Sequence, residues 1–182
     1  MAGPVESEIK LRMSGPGPAR EAVARLGATL VRPRHFEDNV LLDDARGTLA
    51  GSGRTLRLRR TEAGAVLTFK GPRQDREGVK SRQEIEASLP AAEADALLAV
   101  LRAVGFAPVF RYQKYRETYR HGDVEIVVDE TPIGTFLEIE GPLPGIHAAA
   151  AALGRRPSDY ITESYPGLFS ASGCTGDMVF PG

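Results

Sequence analysis

Five pairs of like charges, each pair two residues apart, mark this chain of 182 residues. Glu6/Glu8, Glu84/Glu86 and Glu138/Glu140 are acidic; Arg57/Arg59 and Lys114/Arg116 are basic. Lys10, Arg12, Lys70, Arg82 and Asp129 fall in the same alternation. On a strand, residues two apart share a face. Like charges placed so repel and gain nothing alone. They become useful when a neighbouring strand or a ligand brings the opposite sign. Paired glutamates offer hard oxygen donors suited to Mg²⁺ or Mn²⁺. Paired arginines and lysines suit phosphate oxygens, the guanidinium as a fork and the ammonium as a point charge. A cavity carrying both signs would hold a phosphate–metal complex better than either component alone.

The elements that must position these charges are mostly strands. Val5–Met13 alternates strictly, with Ile9 and Leu11 on one face and Glu6, Glu8 and Lys10 on the other. Arg54–Arg60, Val66–Lys70, Lys80–Leu89, Val109–Arg120, Asp123–Glu130 and Thr135–Glu140 follow, and Phe36–Leu42 is the weakest of the eight. Glu62-Ala63-Gly64 and His121-Gly122-Asp123 carry hairpin-turn chemistry, and Gly71–Gly78 reads as a polar loop. Helices are expected over Gly17–Gly27, Ala91–Val104, Gly145–Gly154 and Pro157–Glu163. The apolar strand faces must pack on those helices, which leaves the charged faces together. A sheet of eight strands can close, and closure removes its edges. The expected fold is therefore α+β: a closed eight-stranded antiparallel β-barrel, a tunnel, with helices packed outside. One domain is expected over residues 1–182, with residues 170–182 as a loosely attached tail.

Composition bounds the partners. Basic and acidic side chains number 23 and 24, for a net charge of −1. That balance argues against bulk binding to nucleic acid or to an anionic membrane. Cys174 is the single cysteine, so no internal disulfide and no Cys/His metal spacing exist. No secretory leader or membrane-length apolar run is visible, and a cytoplasmic location is expected. The sequence leaves monomer and homodimer open.

Glu6-x-Glu8-x-Lys10 has the ExExK pattern that opens the CYTH superfamily, the triphosphate tunnel metalloenzymes, which include class IV adenylyl cyclase and thiamine triphosphatase. The ordered series that follows also resembles that family: Leu56–Arg59, Phe69-Lys70, Glu84-x-Glu86, Lys114-x-Arg116, Asp129 and Glu138-x-Glu140. Asn39, Leu41, Leu42 and Asp43 resemble its second strand, and Ser164-Tyr165 its closing segment over one tunnel opening. The resemblance implies a tunnel for a linear triphosphate. It assigns phosphate contacts to Lys10, Arg57, Arg59, Lys70, Lys114 and Arg116, with Lys10, Arg59 and Lys114 as the catalytic cations. It assigns metal binding, Mg²⁺ or Mn²⁺, to Glu6, Glu8, Asp129, Glu138 and Glu140. Glu84 and Glu86 would ligate metal or orient the basic side chains.

The nucleophile decides the reaction the resemblance implies. Water attacking the terminal phosphorus makes a triphosphatase of inorganic tripolyphosphate or a nucleoside triphosphate. A ribose 3′-hydroxyl attacking the α-phosphorus makes an adenylyl cyclase, which forms cyclic AMP and pyrophosphate. A non-catalytic polyphosphate-binding module is the third alternative. The chain has no tryptophan, which departs from the aromatic platform expected of animal thiamine triphosphatases; Tyr112, Tyr115 or Phe36 would have to replace it.

Overall fold

The computed structural model describes residues 5–181. The expected domain's ends, residues 1–4 and 182, lie outside the described residues. Nine strands form one antiparallel sheet: β1 (Val5–Met13), β2 (Thr29–Asp43), β3 (Thr55–Thr61), β4 (Gly64–Lys70), β5 (Gln74–Arg76), β6 (Val79–Leu89), β7 (Ala107–His121), β8 (Val124–Thr131) and β9 (Gly134–Glu140). Their order is β1-β9-β8-β7-β2-β3-β4-β6, and β6 pairs back with β1. Eight strands thus close a barrel, as the alternation predicts. The ninth, β5, is a short addition to β6 inside what reads in sequence as a polar loop.

The barrel is inverted relative to an ordinary one: charge faces in and apolar side chains face out. Ile9, Leu11, Ile126, Val128, Leu137 and Ile139 are buried against α1 (Pro16–Arg25) and α4 (Leu143–Ala152). Those helices present Ala19, Ala22 and Val23, and Ile146, Ala149 and Ala150, at helical spacing. A second outer layer packs Leu42, Leu58 and Ala65 against α3 (Ala94–Ala103). A four-residue helix, α2 (Thr48–Gly51), follows β2.

Several boundaries differ from expectation for identifiable reasons. β2 runs far beyond Phe36–Leu42, pairing with β7 from Thr29 to Asp43. Pro33 interrupts the sequence pattern, but it falls within a register shift between Arg32 and His35, where proline is tolerated. The segment Ala91–Val104 begins as a 3₁₀ turn, Ala91–Glu93, before α3. The expected helix Pro157–Glu163 is a correction: only Pro157–Asp159 turns, because Ile161 is extended and bonds both its N–H and C=O to Lys10 at 2.9 Å. A helix does form just after it. In α5 (Tyr165–Ala171), the Ser164 hydroxyl caps the N-terminus by accepting from the Gly167 N–H at 3.2 Å.

Part of the expected tail docks on the barrel at Met178. β8 pairs with β7 only from Tyr115 onward, which leaves the β7 edge open before it. Met178 fills that gap, donating to the Arg111 carbonyl at 3.0 Å and accepting from the Gln113 N–H at 2.9 Å. Its side chain is fully buried among Tyr112, Phe136, Tyr165 and Phe169.

Candidate functional site

Strand register converts the segregated charge pairs into a mixed lumen. Lys10 stands opposite Glu138, Arg116 opposite Asp129, and Lys70 opposite Glu84. The resulting cavity has a volume of about 320 Å³. Eight cations line it: Lys10, Arg57, Arg59, Lys70, Lys80, Arg82, Lys114 and Arg116. Seven carboxylates face them: Glu6, Glu8, Glu84, Glu86, Glu125, Glu138 and Glu140. Every residue expected to contact phosphate is therefore on this wall, as are four of the five expected to hold metal.

The fifth, Asp129, is not. It points into the barrel on the same face as its register partner Arg116, but it is fully buried beneath the lining side chains, and its oxygens are taken. Arg116 grips it with two N–H groups at 2.7 and 2.6 Å, the Lys114 ammonium donates at 2.8 Å, and the Tyr165 hydroxyl donates at 2.9 Å. That geometry makes Asp129 an orienting anion for two lumen cations. Burial and the neighbouring Asp129 and Glu138 push the Tyr165 phenol well above its ordinary pKa, so it stays a donor. The Tyr165 ring also lies under the ammonium groups of Lys10 and Lys114, at 5.3 and 5.4 Å from its centroid.

The other expected carboxylates divide into two kinds. Glu8 accepts from Lys80 at 2.5 Å and from Lys10 at 3.0 Å. Glu138 pairs with Lys10 at 3.2 Å and hydrogen-bonds Arg116. Burial opposes ionisation of both, but these cations outweigh it and hold both carboxyls below the usual range. Glu6 and Glu140 behave in the opposite way. Burial, then the Glu84 carboxylate, pushes Glu6 up to about 7. Burial, then Glu6 and Glu8, pushes Glu140 up to about 8. Glu84 hydrogen-bonds Lys70, and Glu86 accepts from Thr68 at 2.6 Å and lies 3.6 Å from Arg57, so both orient basic groups.

The basic wall is similarly strained by like charge. Burial and Arg57 lower the pKa of Arg59. The buried Arg57 Nε has no hydrogen-bond partner among the described residues, which is costly unless a ligand oxygen reaches it.

Sequence reasoning missed Glu37, Thr68, Lys80 and Glu125 as site residues, and it met Asn39 only through the second-strand resemblance and Tyr112 only as an aromatic substitute. Lys80 shares the parity of Arg82, Glu84 and Glu86, which was a usable signal. Glu37 and Asn39 were hidden because β2 mixes polar residues on both faces. Glu37 is buried 3.3 Å from Arg59 and 3.6 Å from Lys114, and the Asn39 side chain accepts from Arg59 at 3.1 Å. Of the three aromatic substitutes, only Tyr112 lines the lumen. Phe36 and Tyr115 pack against each other with tilted rings at 5.2 Å, and Tyr115 packs on Phe180 at 5.3 Å. His35 makes local contacts, to the Pro33 carbonyl at 2.9 Å and to Glu37 at 3.4 Å.

The donor set fits a hard divalent cation, since Glu6 and Glu140 are carboxylates crowded by other carboxylates. Among the described residues, however, no three His, Cys, Asp or Glu side chains are gathered into a ready ligating cluster. Glu8 and Glu138 are paired with lysine and arginine, so a metal at either would share or displace those cations.

An antiparallel tunnel with this bore defines a charged-lumen barrel protein. The chain belongs to the CYTH domain family, whose sequence profile matches residues 5–155. It is 26% identical over 144 residues to a Methanocaldococcus jannaschii protein named "Putative adenylate cyclase MJ0240", covering 79% of this chain and 80% of that one. Its fold matches a Vibrio parahaemolyticus structure called a "putative adenylate cyclase", with TM-score 0.79, 20% identity, and coverage of 92% and 99%. It also matches HpAC1 from Hippeastrum, a "Putative adenylyl cyclase" described as having a dominant triphosphatase activity. There the TM-score is 0.70, identity 23%, and coverage 92% and 96%. No helix among the described residues is long and apolar enough to cross a membrane.

Proposed function

We propose that this protein is a divalent-metal-dependent phosphohydrolase that binds a triphosphate, inorganic tripolyphosphate or a nucleoside triphosphate, in the tunnel. The observation that carries this reading is the imbalance inside the lumen. The orphaned Arg57 Nε and the mutually repelling Arg57 and Arg59 call for an anion. Glu6 and Glu140, with pKa values near 7 and 8, call for a cation. A phosphate–metal complex answers both. The volume of about 320 Å³ is small for a ligand site, where roughly 300–1,000 Å³ is typical. It suits a linear phosphate chain, with any nucleoside left at a tunnel mouth.

Glu6, Glu8, Glu138 and Glu140 would hold the metal, which would neutralise phosphate charge and lower the pKa of a bound water. Lys10, Arg57, Arg59, Lys70, Lys114 and Arg116 bind phosphate oxygens and stabilise the leaving phosphate as charge develops on it. Asp129, Glu37 and Tyr165 keep Lys114, Arg116 and Arg59 aimed inward. The names of the relatives support a second reading, class IV adenylyl cyclase, which needs the same cradle. Incubation with tripolyphosphate or ATP and Mg²⁺ or Mn²⁺, followed by phosphorus NMR, separates the two. Orthophosphate release is expected. Cyclic AMP with pyrophosphate would favour cyclisation, and no turnover of any triphosphate with either metal would reject both readings.

A further inference from the structure

The Glu8 carboxylate has two ammonium groups on a single oxygen. Lys80 donates to Oε1 at 2.5 Å and Lys10 to the same atom at 3.0 Å. The Lys80 contact is built by register, because Glu8 and Lys80 are paired across β1 and β6. The two lysines are not equivalent. Lys10 is also held by Glu138 at 3.2 Å and sits over the Tyr165 ring. Lys80, only 6% exposed, has Glu8 as its sole ion-pair partner among the described residues. A divalent cation arriving at Glu8 meets two positive charges already in place, and Coulomb repulsion at this range is large in a buried site. Lys10 can stay, because Glu138 retains it. Lys80 cannot.

We propose that Lys80 is a resident counter-cation of the ligand-free tunnel: divalent metal displaces it from Glu8, and its freed ammonium then binds a phosphate oxygen of the substrate. This rests on the metal–triphosphate reading above and adds an order to it. A flexible four-carbon stem carrying a point charge suits such an exchange better than a rigid guanidinium fork. The lysine lines the same cavity as Lys70 and Arg57, so the move stays within the lumen. Metal and phosphate are then coupled: each makes room for, or supplies charge to, the other.

The test uses Mn²⁺ alone, followed by electron paramagnetic resonance of the free ion, and a diimido analogue of tripolyphosphate at saturating Mn²⁺. In Lys80→Met, Mn²⁺ alone should bind about tenfold tighter, since one repelling charge is gone. The analogue should bind about tenfold weaker, since one charged contact is gone. A residue that is merely structural would weaken both. Mn²⁺ affinity unchanged or weakened in Lys80→Met, with Lys80→Gln giving the same result as a second folded variant, overturns the exchange while leaving the metal site standing. A wild-type protein that binds no Mn²⁺, with or without the analogue, overturns both.

Discussion

Asp129 shows at residue scale how a site is assembled from beneath its lining. On the inner face of the barrel but covered, it receives two arginine N–H groups, one ammonium and one phenol. An anion so enclosed is favourable only while those partners remain, and breaking a buried pair typically costs roughly 3–5 kcal/mol. Asp129→Asn should therefore destabilise the fold by about 3 kcal/mol in urea unfolding. Tyr165→Phe removes one hydrogen bond to the same charge and should cost less, about 1.5 kcal/mol. The reverse ranking would mean that Asp129 is not the organiser of this wall.

At the scale of elements, the C-terminal segment completes a barrel that strand pairing alone leaves unfinished. β1 pairs with β6 only as far as Glu8, and Ile161 occupies the edge at Lys10. β7 pairs with β8 only from Tyr115, and Met178 occupies the edge before it. Between these two patches, α5 brings Tyr165 to the cavity wall and Phe169 into an apolar cluster with Tyr112 and Phe136. Phe136 shares the parity of Glu138 and Glu140, so one part of the bore is apolar and sealed. Met178→Ala should leave a cavity there and lower stability by about 3 kcal/mol. A loss under about 0.5 kcal/mol in the same unfolding measurement is what an unattached tail would give. The docking of Met178 was not legible in sequence because Gly, Ser and Thr content reports chain flexibility. It does not report an unpaired strand edge waiting elsewhere.

Over the whole molecule, the lumen's charge should write itself into the pH dependence of stability. Glu6 and Glu140 bind protons more tightly when folded, with pKa values near 7 and 8. The folded state then holds more protons than the unfolded state from the ordinary glutamate range up to that window, so stability falls as pH rises through it. Glu8, Glu37 and Glu138 are shifted the other way; their contribution is present above the ordinary glutamate value and is lost in acid. Metal-free protein should therefore lose several degrees of Tm between about pH 6 and pH 8, and Mn²⁺ should flatten that slope. A Tm that stays level or rises over this range in the metal-free protein would contradict the crowding of Glu6 and Glu140.

Local periodicity determined much of this protein before any folding. Alternation in β1, β3, β6, β7 and β9 set which residues share a face, and like charges at i, i+2 forced those faces toward a ligand or an opposing strand. What alternation cannot carry is register between strands distant in sequence. Only the closed sheet decided that Lys80 meets Glu8, that the Tyr165 hydroxyl reaches Asp129 inside the barrel, and that Glu37 lies between Arg59 and Lys114. These are contacts across 72, 36, 22 and 77 residues of chain, made by hydrogen-bonded pairing and packing rather than by any local pattern.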